Sequence, residues 1–138
     1  MDKNINIGDL IPQRHPFILV DKLISCHDKL IESSFRIPEN HSMVTNGKLC
    51  EGGLIENIAQ TAAAGNGYEA KEKGQDIPKG FIAGIKNIRI KRLPEINSLL
   101  STKVILQCRI MGYDLIKGEV FEREEIIVRC EMKIYCPE

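Results

Sequence analysis

The sequence predicts an α+β domain in which a curved, mostly antiparallel sheet wraps around one long central helix. Three observations carry this expectation. Leu54, Ile55, Ile58, Ala59, Ala62 and Ala63 recur at helical spacing and mark one apolar stripe. The stripe is largely alanine, and Gly65 and Gly67 extend it, so neighbouring backbone can approach it closely. On either side of it the chain alternates apolar and polar residues with the period of a strand, two segments before the helix and four after it. A sheet that curls around the helix buries both with few elements.

Taken in order, Asn4 to Leu10 suits a short helix with Ile5 and Leu10 turned inward, weakened by Gly8 and bounded by Pro12. The second half of Ile11 to Ile24 is a continuous apolar run rich in β-branched residues, which reads as a buried strand. His27-Asp28 marks a turn. Beyond it Ile31, Ser33, Phe35 and Ile37 alternate with Leu30, Glu32, Ser34 and Arg36 as a partner strand. Pro38 to Lys48 is loop, with Asn46-Gly47 as a turn signal. The central helix runs from near Gly52 to Lys73, and Gly74 suits its C-terminal cap.

Four strands follow. Gly80 to Arg92 sets Ile88 and Ile90 against Arg89 and Lys91, and Pro94 to Ser98 is a connection. Val104, Leu106, Cys108 and Ile110 alternate with Lys103, Gln107 and Arg109. A turn at Gly112 leads into a weaker strand, Leu115 to Arg123. In the last strand Ile126, Val128, Cys130, Met132, Ile134 and Cys136 face in while Arg129, Glu131 and Lys133 face out.

The 138 residues suit one domain spanning 1–138, with no repeat or linker. Lys plus Arg and Asp plus Glu number 19 each, so no global field draws nucleic acid or an anionic membrane. No apolar run approaches membrane-spanning length, and Met1-Asp2-Lys3-Asn4 does not open a signal peptide. Five cysteines form no C-x-x-C pair and read as reduced thiols of a cytoplasmic protein. His15, His27 and His41 are too dispersed for ligand spacing, so no metal is expected.

The helix raises the functional question. Glu56 and, one turn later on the same face, Gln60 stand beside the apolar stripe. An acid and an amide placed there are costly unless hydrogen-bonded, so they serve structure or do chemistry.

Three blocks resemble the 3-hydroxyacyl-acyl-carrier-protein dehydratases of the hotdog fold, FabZ type. Ile11-Pro12-Gln13-Arg14-His15-Pro16-Phe17-Ile18-Leu19-Val20-Asp21-Lys22 resembles the family's L-P-H-R-Y-P-F-L-L-V-D-R opening. Leu54-Ile55-Glu56-Asn57-Ile58-Ala59-Gln60 resembles its L-I-E-A-M-A-Q helix, and Phe81 to Arg92 its F-A-G-I-D-K-x-R-F-K-R strand. The segment Asn46-Gly47-Lys48-Leu49 looks more like a divergent branch tied to aryl-polyene-type secondary metabolism.

The resemblance implies dehydration of a 3-hydroxyacyl group on acyl carrier protein to a trans-2-enoyl product, without a cofactor. That reaction needs a base for the proton alpha to the carbonyl, an acid for the departing hydroxyl, and a donor to the enolate-like oxygen. Glu56 matches the family's helical carboxylate and Gln60 its supporting amide. Glu51 and Gly52 lie where helix-start N–H groups would hold the thioester oxygen, favoured by the helix dipole. The family's catalytic histidine would fall at Ser42, and the glycines and prolines of its H-F-P-G-x-P-x-x-P-G motif are missing here. His41, one position away, is the candidate base, contributed by the other subunit of a homodimer or of a higher multiple of dimers.

Each residue also has a plainer role. Glu56 could serve only the helix dipole, Gln60 could bond loop backbone, and His41 could be a loop histidine. Arg89, Lys91 and Arg92 could greet the phosphopantetheine and acidic surface of a carrier protein, or form a solvated strand face. Two other functions fit the same residues: a hotdog thioesterase using Glu56 and Gln60 on a carrier-protein or coenzyme A thioester, and a non-catalytic acyl-binding module.

Overall fold

The computed structural model describes residues 5–137, so the first residues of the expected single domain, Asn4 among them, and its last lie outside the described chain. After a 3-10 turn at Ile7–Asp9 come β1 (Lys22–His27), β2 (Leu30–Arg36), and a short hairpin of β3 (Val44–Thr45) and β4 (Lys48–Leu49). The helix α1 spans Glu51–Glu72. The chain then gives β5 (Phe81–Ile90), β6 (Leu99–Ile110), β7 (Tyr113–Glu122) and β8 (Glu125–Tyr135). Six of the strands form one antiparallel sheet in the order β1-β2-β6-β7-β8-β5. This is the expected plan of two strands, a helix and four strands.

The helix packs chiefly on β6, β1, β2 and β7, leaving β5 and the end of β8 less covered. Leu54, Ile58 and Ala62 bury against Ile31, Phe35, Leu100, Val104, Ile116 and Val120 in the main core. The small residues follow from this closeness. A Cβ on Gly65 would lie 2.3 Å from Ile31 Cδ1, and one on Gly67 would lie 1.8 Å from the Leu10 carbonyl oxygen. The same close approach seen from the sheet explains Gly118 of β7, where a Cβ would meet Ile58 at 2.5 Å.

Polar residues inside the helix contact are all paired. Asn57, fully buried, donates from Nδ2 to the Leu19 carbonyl at 2.8 Å and accepts from Thr102 Oγ1 at 2.6 Å. Thr61 donates to the Asn57 carbonyl and shares a 2.7 Å bond with Ser33.

Several expectations are corrected. The buried run before residue 22 is not strand: Ile18, Leu19 and Val20 are buried, yet β1 begins at Lys22. Leu19 gives its N–H to Gln60 and its carbonyl to Asn57, so helix side chains take the groups that a strand neighbour would use. The short N-terminal helix is only a 3-10 turn, capped by Asn6 Oδ1, which accepts from Gly8 N.

In β6, Ile110 is 56% exposed rather than inward, beyond a register shift between Leu106 and Cys108. In β8 both Ile127 and Val128 are buried, because the pairing with β7 slips between Val120 and Phe121. On β5 there is no clean alternation. It is an edge strand, and Phe81, Ile82, Ile85 and Ile88 are all exposed.

Candidate functional site

Glu56 sits one turn into α1, held there by the burial of Leu54 and Ile58 on either side of it. Its side chain is half-buried and has no hydrogen-bond or ion-pair partner among the described residues. It opens onto a cavity of about 570 Å³ lined by Glu56, Ala59, Ala63 and Asn66 of the helix, Pro12 and Gln13 of the N-terminal segment, residues 78–82 leading into and opening β5, Ile134 of β8, and Cys136 just beyond it. The cavity occupies the space that the helix leaves uncovered beside β5. Positions 56, 59, 63 and 66 share one helix face, so the cavity follows the helix for ~15 Å at 1.5 Å per residue. Glu56 is the only carboxylate among the described lining residues.

At the other end Asn66 is committed. Its Nδ2 donates to Asp114 Oδ2 at 3.2 Å, and its Oδ1 accepts from Arg109 Nη2 at 3.1 Å. Arg109 also donates from Nε to the buried Asp114 at 2.8 Å. Hydrogen bonding to Asp114 holds the Arg109 guanidinium above its ordinary pKa. Burial, and then the Asp114 charge, push the Cys136 thiol upward, so this wall of the cavity stays a neutral thiol.

The other sequence-predicted residues lie elsewhere. Gln60 is 1% exposed and does not line the cavity. Its Oε1 accepts from Leu19 N at 2.7 Å and its Nε2 donates to the Phe17 carbonyl at 3.0 Å, so the amide is spent on the backbone of 17–19. His41 is half-buried, edge-on to Phe35 at 6.2 Å between centroids. Its Nδ1 accepts from Met43 N and its Nε2 faces the Ile18 carbonyl, both at 3.0 Å. Those two bonds require the neutral tautomer with the proton on Nε2, which leaves no free lone pair on the ring.

Glu51 and Gly52 are exposed at the first turn of α1, where Cys50, the N-cap, makes no side-chain capping bond. They are outside the cavity lining. Arg89 is exposed on β5, and Lys91 pairs with Glu125. Neither lines the cavity. The structure thus brings Glu56 to the cavity without the rest of the expected set.

A profile of the ApeP-like family, described as ApeP dehydratase, matches residues 5–138. The chain belongs to the ApeP-like dehydratase family.

Among solved structures, a chain of the ApeI:P dehydratase heterocomplex of Xenorhabdus doucetiae is similar to this ApeP-like protein with a TM-score of 0.92, at 18% identity over 99% of this chain and 93% of that one. An uncharacterized protein of Pyrococcus horikoshii is similar with a TM-score of 0.71 at 14% identity, covering 100% and 96%. A hypothetical thioesterase of Streptococcus pneumoniae, solved with coenzyme A, gives 0.66 at 10% identity, covering 84% of each chain. These likenesses establish the hotdog fold. No curated protein sequence matches the chain.

Sequence reasoning missed Gln13 and Asn66. Asn66 was within reach, because the spacing 56, 59, 63, 66 traces a second helix face beside the apolar stripe. Gln13 lies in an irregular segment where no periodicity points anywhere. Among the described residues no helix is long and apolar enough to cross a membrane.

Proposed function

We propose that this ApeP-like dehydratase converts a 3-hydroxyacyl thioester on acyl carrier protein to the trans-2-enoyl thioester, in a secondary-lipid pathway of the aryl-polyene kind. The observation that carries this reading is Glu56, an unpartnered carboxylate in an acyl-sized cavity of a chain whose family is a dehydratase family. In the reaction the C2 proton leaves to a base, the C2–C3 double bond forms, and the C3–O bond breaks. Glu56 protonates the departing hydroxyl, which leaves as water. The first-turn N–H groups at Glu51 and Gly52 would hold the thioester oxygen, with the helix dipole favouring the charge that develops there.

In this reading the base arrives across β5 from a second hotdog domain. An edge strand with exposed Phe81, Ile82, Ile85 and Ile88 suits strand pairing, and the similar Xenorhabdus chain comes from a dehydratase heterocomplex. His41 would first have to give up its bond from Met43 N to accept a proton, so we assign it to holding residues 18 and 43 together ahead of the helix. Gln60 likewise supports residues 17–19. The exposed Arg89 suits the acidic surface of a carrier protein.

One observation favours a second reading. A lone carboxylate without a free imidazole also suits a thioesterase, in which Glu56 activates water against the thioester.

An assay with 3-hydroxyacyl-carrier-protein, following enoyl product and free thiol together, separates the two. The dehydratase gives enoyl product without free thiol. Glu56→Gln lowers its turnover ~10²- to 10⁴-fold, the range of one general acid–base group. His41→Ala lowers stability, while the pH profile of the remaining turnover stays as it was. Free thiol without enoyl product would move the protein to the thioesterases, and neither product would leave an acyl-binding module.

A further inference from the structure

Gln13 brings to the cavity wall the one buried side-chain polar atom that the fold leaves unpaired among the described residues. It lines the cavity together with Glu56, and its Oε1 is buried with no hydrogen-bond partner among the described residues. Every other fully buried side-chain polar atom of the described residues is paired, as Gln60, Asn57 and Thr61 illustrate. A buried amide oxygen without a partner is costly, and such a group in a native fold calls for an explanation.

Its backbone is held in place. Arg14 Nη1 donates to the carbonyls of Ile11 at 2.7 Å and Gln13 at 2.8 Å, and Ile11 is fully buried in the satellite core under α1. The residue is anchored at the main chain while its carboxamide is left unsatisfied at the cavity wall. The terminal torsion of a glutamine is broad and roughly two-fold, so the carboxamide can exchange its oxygen and nitrogen at low cost. Because Oε1 is buried as it stands, the exchanged orientation is the one that presents the oxygen to a ligand in the cavity.

We infer that Gln13 recognises the 3-hydroxyl of the substrate, accepting its hydrogen bond at the cavity wall and so selecting 3-hydroxyacyl over saturated acyl chains. This rests on the dehydratase reading above, since only a substrate with a hydroxyl at C3 gives the amide its partner. The exposed Lys79 carries an ammonium with no lone pair to accept the hydroxyl's hydrogen bond, and two other lining groups do not compete for the role either. Asn66 is committed to Asp114 and Arg109, and Cys136 is a weak donor and acceptor kept neutral by burial.

The test compares two ligands on the full-length protein in its native assembly. Glu56→Gln slows turnover enough that equilibrium binding of 3-hydroxyacyl-pantetheine and of the saturated acyl-pantetheine of equal length can be measured by calorimetry. Adding Gln13→Leu, close in size, should weaken the 3-hydroxyacyl ligand about tenfold, the effect of losing one hydrogen bond, and leave the saturated ligand within about twofold. Saturated-ligand binding doubles as the folding control. Equal weakening of both ligands would make Gln13 a packing residue and overturn the inference, as would no change in either. If wild-type protein dehydrates its substrate yet the Glu56→Gln protein binds both ligands alike, the inference fails and the dehydratase reading stands. If wild-type protein neither binds nor converts the 3-hydroxyacyl thioester, both fall.

Discussion

Gln60→Ala separates a structural amide from a catalytic one. The substitution strands two backbone groups. Leu19 N–H is buried and would lose its only acceptor, at ~1–3 kcal/mol. The Phe17 carbonyl is only part-buried and can find water, so it adds ~1 kcal/mol at most. The void left in a site that is 1% exposed adds to this, which brings the expected loss to about 3 kcal/mol. With an unfolding entropy of ~0.3 kcal/mol/K for a chain of 138 residues, Tm should fall by ~10 °C.

Thermal and urea unfolding at one fixed protein concentration would read this, because subunit association makes Tm depend on concentration. Turnover measured well below the lowered Tm should survive within a few-fold. Gln60→Glu adds a pH signature. An ionised carboxylate there still accepts from Leu19 N but repels the Phe17 carbonyl, whereas the protonated acid restores a donor to it. The folded-state pKa of that introduced acid would lie above its unfolded value. Its stabilising contribution is therefore full below about pH 4.3 and is lost as pH rises through the folded pKa. The reasoning is refuted if Gln60→Ala keeps Tm within about 2 °C while turnover drops by orders of magnitude, since the amide would then be doing chemistry rather than holding backbone.

Three further outcomes are expected. Gly67→Ala places a methyl 1.8 Å from the Leu10 carbonyl, so the N-terminal segment must lift away; we expect a loss of ~3 kcal/mol or more and faster tryptic cleavage at Arg14. The β7–β8 turn holds Arg123 and Glu124 at φ 51° and 66°, so an Arg123→Asn, Glu124→Gly pair should raise Tm by a few degrees, ~0.5–1 kcal/mol. Burial, reinforced by Glu69 and Glu131 respectively, pushes the thiols of Cys26 and Cys130 up to about 11 from 9.0. The folded chain therefore keeps protons that the unfolded chain loses, and stability should decline between pH 9 and 11. Urea midpoints across that range would show it, with a flatter decline in Cys26→Ala and Cys130→Ala.

The fold was legible because its main signals are local. The alanine and glycine texture of the helix predicted close backbone contact, and Gly65 against Ile31 and Gly67 against Leu10 are that contact. Turns at His27-Asp28, Asn46-Gly47 and Gly112 carry residues that tolerate positive φ, whereas Arg123-Glu124 adopts the same conformation with no compositional signal. The Ile18–Val20 run misled because burial and β-branching look alike whether a backbone pairs with a strand or with the side chains of Asn57 and Gln60. Of the site, Glu56 was legible from its place beside the stripe. Whether Gln60 and His41 point at a ligand or at main chain depends on rotamers and on the segment 17–19, 41 to 43 residues from Gln60 and 23 from His41, which spacing does not encode.

The remaining link between fold and function runs through β5. Residues 80–82 wall the cavity, and β5, which begins at Phe81, is one edge of the sheet and carries four exposed apolar side chains. Pairing that edge and closing the cavity are therefore one event: a strand laid along β5 would satisfy its free backbone groups and shield Phe81 and Ile82 together. β5 constrains what can be laid there. It carries Lys86 and Arg89 and no acid, and its pairing with β8 is interrupted between Ile82 and Gly84 and again between Lys86 and Arg89. Antiparallel pairing with a second copy would set these cations near their own kind, a like-charge contact that opposes association. A hotdog partner with acidic residues along its edge would not meet that repulsion. In the proposed function, the distribution of charge on this one strand thus favours a different chain as the source of the base, and it gives a reason why the imidazole of this chain can be left to hold backbone.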